Sequence, residues 1–368
     1  MTMTESNATE IRKILEEKAL LFSDLHIGIR TDSEMWFNTA IKYSEWVKKT
    51  ALEQNVNVLI FLGDFFHDRE ELRLTALNAA DKFLENLKDF HIILLVGNHD
   101  CYYDSNTEIN SLSIFNKWKN IIVVDKLEVV EYREKKFAFL PWGSDLNAVP
   151  QNLDYIFGHL EIESFRFNKA KICEHGIKSS ELLKKAKTVF SGHFHIRSQK
   201  NYGQNSIRYI GNTFQQDWGD YGEEKGVELF NFETGETEFI KNTVSPEYVK
   251  VHLSKLLTKD KEELDIVKHK INNNFVKLIL DQEVQPEKLA LLSEKLTKLT
   301  PLQFNTETMI ETEVKNADSF ESVEIDMKLL LTEYINKLEI SENKDNILQE
   351  SLNLYNKALT QIKDDTNE

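Results

Sequence analysis

Six of the chain's ten histidines, His26, His67, His99, His159, His193 and His195, stand in turns directly after short apolar runs. In chain order the turns read SDLHIG, GDFFHDR, GNHD, GHLE and GHFH. They offer two carboxylates (Asp24, Asp64), one amide oxygen (Asn98) and four imidazoles (His26, His159, His193, His195), with His67 and His99 to spare. In an extended strand exit, residues i and i+2 point the same way, so Asp24 with His26, and His193 with His195, are each expected to share a face. One D-x-H carries no weight, since many chains contain one by chance. Five such turns, each after an apolar run, are a different matter. A carboxylate such as Asp64 can bridge two divalent ions about 3.5–4 Å apart, the arrangement that supports phosphoester hydrolysis. The mixed oxygen and nitrogen set suits Mn²⁺, Fe²⁺ or Zn²⁺ better than Ca²⁺ or a four-cysteine zinc site.

The elements that must position these residues are legible from Lys18 to about Lys241. ALLF, VNVLIFL, HIILLV, LDYIF, TVF and IRYI are continuous apolar runs, the pattern of strands buried on both faces. Amphipathic stretches, Glu34 to Gln54 and Leu72 to Leu87, read as helices between them. The fold class is therefore α/β and layered, with ligands expected outside the carboxyl ends of the strands. Gly63 permits the tight exit that carries Asp64. GVELFNFETGETEFI reads as strand-like. Composition changes near Asn242 to Pro246, after which VKVHLSKL and NFVKLILD read as strands, and Lys259 to Asn272 and Gln285 to Lys298 as helices. Beyond about Thr312 two amphipathic helices are expected, Ile325 to Lys337 and Asn346 to Ile362, either packed on each other or docked on a partner.

The net charge of −16 argues against a protein that holds nucleic acid by general positive charge. Residues 305–368 hold fifteen acidic and six basic residues, so −9 of that excess sits at one end. Bound divalent cations would offset more of it. Two cysteines, Cys101 and Cys173, give no disulfide framework, and neither an apolar h-region nor a membrane-length apolar segment occurs. A cytoplasmic protein with no membrane association is expected.

The ordered series D-x-H, G-D, G-N-H-D, G-H, G-H-x-H resembles that of the calcineurin-like metallophosphoesterase superfamily. Within it, GDFFHDR, GNHD, FLPWG, GHLE, SGHFH and RYIGN are similar to nuclease subunits of the SbcCD type, and the length and C-terminal layout look closest to those of T-even-like phages. The motif likeness covers roughly Ala19 to Trp218. It implies an α/β/β/α sandwich over 18–245, a small α+β capping domain over 246–311 and an acidic helical partner-binding segment over 312–368, preceded by a leader, 1–17, either a short helix or disordered. It implies one metal on Asp24, His26, Asp64 and His195 and another on Asp64, Asn98, His159 and His193. Both ions are expected to be Mn²⁺. His99 would protonate the leaving oxygen or stabilise charge on the phosphate. His67 would help position the phosphate or select exonuclease over endonuclease geometry, at a position where some phage relatives carry Asp. The implied protein is a recombination and repair nuclease, acting as 3′-to-5′ exonuclease on duplex DNA and endonuclease on single strands. Its implied partner is an SMC-like ABC ATPase, with the nuclease as a homodimer in a heterotetramer.

Two alternatives stand beside this: a small-molecule phosphodiesterase of the same superfamily, and a non-catalytic docking module for the ATPase. The acidic helical extension speaks against the first, and the full ligand set against the second. Cys101 is expected to be a buried small apolar residue, and His91, His175, His252 and His269 to be structural. Arg30, Arg69, Arg166 and Lys169 default to solvated charge. Phe165 and Phe167, flanking Arg166, form a candidate DNA-contacting loop.

Overall fold

The structure is a computed structural model that describes residues 6–103, 106–167, 169, 171–257, 261–309 and 347–352. Fifteen strands are found among them. The first sheet is built from β1 (Lys18–Phe22), β2 (Val58–Phe61), β3 (His91–Leu95), β4 (Ile121–Val124), β11 (Gly226–Asn231) and β12 (Thr237–Lys241), in the order β12-β11-β1-β2-β3-β4. The second comprises β5 (Glu128–Tyr132), β6 (Lys135–Leu140), β7 (Leu153–His159), β8 (Ala186–Gly192), β9 (Ser198–Tyr202) and β10 (Asn205–Tyr209), in the order β5-β6-β7-β8-β10-β9. In the first sheet β1 to β4 run parallel out to the β4 edge, and the β11–β12 hairpin is antiparallel at the other edge. In the second the four central strands run parallel, with β5 and β9 antiparallel at the two edges.

Alternation along each strand explains the layering. In β1, Ala19 and Leu21 join Ile60, Ile93, Phe137, Phe157 and Phe190 in the core between the sheets. Leu20 and Phe22 face the other way, against Tyr43 and Val47 of the helix Glu34–Glu53 and Phe83 and Leu84 of the helix Leu74–Asn86. The outer face of the second sheet is covered by Leu160, Phe165 and Leu182 packed on Ile156, Val189 and Tyr209. Strands buried on both faces need apolar residues at every position, and this made them readable in the sequence.

Some expectations change in detail. GVELFNFETGETEFI is not one strand but the hairpin β11–β12, with Gly235 in the left-handed region at the turn. The leader contributes the helix Asn7–Ile14, with Ile11 and Leu15 buried in the core between the sheets. After Asn242 come β13 (Tyr248–His252), β14 (Phe275–Leu280) and β15 (Gln303–Thr308), all parallel, with the helices Lys261–Ile271 and Pro286–Thr297 between them. β13 stops at His252, and Leu253–Leu256 is helical rather than a continuation of the strand. β15 was not expected, because QFNTET is largely exposed and carries no apolar run. Tyr248 and Phe275 stack at 4.5 Å and join the helix-covered core of the first sheet.

Residues Glu311–Glu368 form a separate unit. Residues 347–352 are helical, and the rest of the two expected amphipathic helices lies outside the described residues. Among the described residues no helix is long and apolar enough to cross a membrane.

Candidate metal centre

The motif turns meet at the carboxyl ends of the parallel strands. Beyond β1 and β2 the two exits remain hydrogen-bonded: Asp24 N–H donates to Gly63 O, His26 N–H to Asp64 O and Ile27 N–H to Phe65 O, at 2.9–3.1 Å. The exits are not extended. Asp24, His26 and Asp64 have φ of 56°, 50° and 60°, and His193 has 86°. Non-glycine residues take this left-handed region rarely and at a cost of roughly 1–3 kcal/mol each. The i, i+2 rule for an extended exit therefore does not explain the geometry. Asp24 and His26 do share a cluster, whereas His193 and His195 part company and join different ones.

Asp24, His26 and His195 form one group, and Asp64, His159 and His193 another, with the ligand atoms of each within 4.8 Å of one another. His26 Nε2 lies 3.1 Å from His195 Nε2 and 3.7 Å from Asp64 Oδ2. Across the way, Asp64 Oδ1 is 3.3 Å from His159 Nε2. Asn98 Oδ1 is 2.9 Å from both His159 Nε2 and His193 Nδ1. The two oxygens of Asp64 thus face opposite groups. His159 Nδ1 donates to Leu62 O at 2.6 Å, which leaves its Nε2 lone pair for the cluster.

His67 and His99 come to the same place. With His26 they form a third group, and their rings stack at 5.6 Å. His99 Nδ1 donates to His67 O at 2.6 Å, and the His99 backbone N–H donates to Asp64 Oδ1 at 2.8 Å. His26 Nδ1 and His67 Nδ1 are buried without a partner.

The electrostatics are those of a site built around positive charge. Burial works against ionisation of Asp64, but His159, His26 and His99 outweigh it and hold this carboxyl well below its usual range. Burial also opposes charge on His159, yet Asp64 and Asp24 push its pKa up to about 9. Burial pulls His193 down to about 3 and His26 well below the usual imidazole value, helped by the neighbouring imidazoles. Burial raises Asp24 against the pull of His159 and His195. Lone pairs thus outnumber the protons able to satisfy them, an imbalance that divalent cations would offset. The donor set fits two such cations.

Several supporting residues, Gly63 apart, had no role expected from the sequence. Asp100, last in GNHD, accepts the backbone N–H groups of Asp64, Phe65, Phe66 and Gly97 at 2.9–3.2 Å. Burial and the Asp64 charge push its pKa up to about 7 against those bonds. A carboxylate inside a turn between two apolar runs was the available signal. Gly97 and Gly63 are required by close approach: a Cβ would run into the Asp64 carboxylate at the first and the His159 ring at the second. His193 N–H donates to both oxygens of Asp24, Gln216 Nε2 to Asp24 O, and Lys225 Nζ to His195 O.

The candidate DNA loop turns out differently from its reading. Phe165 is buried against Tyr209, and Phe167 packs on Phe194 at 4.5 Å, so these aromatics serve the core of the second sheet. Arg166 donates to Lys169 O. Cys101 is buried, as expected.

The family model described as calcineurin-like phosphoesterase matches residues 18–217. The chain is 26% identical over 321 residues to exonuclease subunit 1 of Enterobacteria phage T4, covering 77% of this chain and 93% of the relative. It is 27% identical over 198 residues to a protein of Invertebrate iridescent virus 6 described as a phosphoesterase, covering 49% of this chain and 66% of the relative. A solved archaeal phosphodiesterase aligns at 16% identity with a TM-score of 0.35, over 61% of this chain and 99% of that one. With the family model spanning more than half of the sequence, the chain belongs to the calcineurin-like phosphoesterase family.

Proposed function

We propose that the chain is the nuclease subunit of a DNA recombination or repair complex, cleaving phosphodiester bonds with two Mn²⁺ ions. The observation that carries the reading is the position of Asp64, with Oδ2 toward His26 and Oδ1 toward His159. One ion is assigned to Asp24, His26, Asp64 and His195, the other to Asp64, Asn98, His159 and His193. Divalent ions held there supply Lewis-acid activation of water and of the phosphate. The chain's residues do the rest. Asp64 is fixed through its own N–H by Asp100 and through Oδ1 by the His99 backbone. His99 commits Nδ1–H to His67 O, so Nε2 is the atom that gives a proton to the leaving oxygen. His67 stacks beside it and helps to place the phosphate.

DNA as substrate is supported by the likeness to a phage exonuclease subunit over most of both chains. The word subunit in that relative's name, with the motif resemblance, supports an SMC-like ABC ATPase as partner and a homodimer within a heterotetramer. The test is an assay of purified protein with Mn²⁺ on linear duplex DNA, single-stranded DNA and p-nitrophenyl phosphate. Cleavage of both DNAs is expected, and preference for the monoester would sink the nuclease reading. Removal of residues 318–368 is expected to abolish ATPase binding and to spare basal diester hydrolysis.

A further inference from the structure

A cavity of about 430 Å³ opens beside the metal centre, between the ends of β6 and β7, lined by Trp142, Ser144, Leu160, Glu161, Ile177 and Glu181, with His159 at its inner wall. That volume falls in the range of small-ligand sites, roughly 300–1,000 Å³. Its position is fixed relative to the ligands. Trp142 N–H donates to Val96 O at 2.9 Å, one strand end away from Asn98. The half-buried indole lies 5.0 Å from the His193 ring and 6.2 Å from that of His159. Gly176, at φ 113°, lets the opposite loop close on the Glu161 backbone, where a Cβ would sit 2.6 Å from its carbonyl oxygen.

The lining chemistry selects the occupant. Two carboxylates repel a phosphate, so the sugar-phosphate backbone does not run through this space. Carboxylates accept N–H donors, and an indole with Leu160 and Ile177 offers apolar and π contact to a flat ring. We propose that this cavity receives the nucleobase of the nucleotide whose phosphate lies at the metal centre, stacked on Trp142 and read by Glu161 and Glu181. The proposal rests on the nuclease reading above. Guanine, with an N1–H and an amino group side by side, suits a carboxylate best. Thymine, whose single N–H is flanked by two carbonyls, suits it least.

The test compares the p-nitrophenyl esters of 2′-deoxyguanosine 5′-phosphate and thymidine 5′-phosphate with bis(p-nitrophenyl) phosphate, using the full chain with Mn²⁺. The guanosine ester is expected to exceed the base-free diester in kcat/KM by about tenfold or more, and the thymidine ester by less. Trp142→Ala should erase that advantage and Trp142→Phe keep most of it, while Glu161→Gln combined with Glu181→Gln should equalise the two nucleoside esters. Equal kcat/KM on all three substrates overturns the proposal and leaves diester hydrolysis standing. If no diester is hydrolysed, the nuclease reading fails. Calorimetric titration with dGMP then decides: binding that Trp142→Ala weakens upholds the base site, and no binding overturns it.

Discussion

The carboxylate of Asp100 accepts the backbone N–H of Asp64 at 2.9 Å, so a residue outside both ligand clusters sets the carboxylate that faces them both. Asp100→Asn replaces one acceptor oxygen by an NH₂ group among backbone N–H donors. A loss of roughly 1.5–3 kcal/mol in unfolding free energy is expected. It should come with weaker Mn²⁺ binding, read by urea unfolding and by calorimetry. Unchanged metal affinity would show that Asp100 serves stability alone.

His99→Gln is expected to lower DNA cleavage by about 10²–10⁴-fold, the usual share of a general acid, with bound metal unchanged by atomic absorption. Because p-nitrophenolate leaves without help, hydrolysis of bis(p-nitrophenyl) phosphate should suffer far less. An equal loss on both substrates would remove His99 from the proton-donor role, and loss of metal would make it a ligand.

Asp64→Asn keeps the shape of the side chain but withdraws the negative charge lying between His26 and His159. Calorimetric titration of the variant with Mn²⁺ should show fewer than the two sites expected of the native chain. Two sites of native affinity would place the shared ligand elsewhere.

Lys225 and Asp220 form a buried pair at 2.7 Å beneath the His195 carbonyl. Burial opposes the Asp220 charge, but Lys225 outweighs it and holds the carboxyl below its usual value of 3.8. This contribution is full above that value and is lost as pH falls through the lower folded one. Lys225→Met leaves the carboxylate uncompensated and should cost about 3–5 kcal/mol near neutral pH. The gap to the native chain should narrow on going to pH ~3.5 as Asp220 protonates. A gap that does not change with pH, measured by urea unfolding, would mean that the pair carries no net electrostatic stability.

How much could be read in advance depends on the range of the interactions involved. The chemistry of Asp24, Asp64, Asn98 and the four ligand-type histidines was legible because a side chain's donor atoms are a local property, and because each follows an apolar run that two-sided burial demands. The helices Glu34–Glu53 and Leu74–Asn86 were legible from the same local periodicity. β15 was not, since an exposed polar strand leaves no apolar signature. Phe165 and Phe167 were open to either reading, because an aromatic pair flanking an arginine looks alike in a core and on a surface.

The sequence by itself determined which atoms are available and in what order the strand ends present them. Tertiary structure decided how they are shared: that His193 and His195, two residues apart, belong to different clusters, and that Asp64 turns one oxygen to each. It also decided the left-handed backbone at Asp24, His26, Asp64 and His193, held by bonds from neighbouring strand exits and, for the Asp64 turn, from Asp100. The reason is physical. Ligand identity is fixed residue by residue, whereas a strained turn persists only where partners distant in sequence supply the hydrogen bonds that offset it.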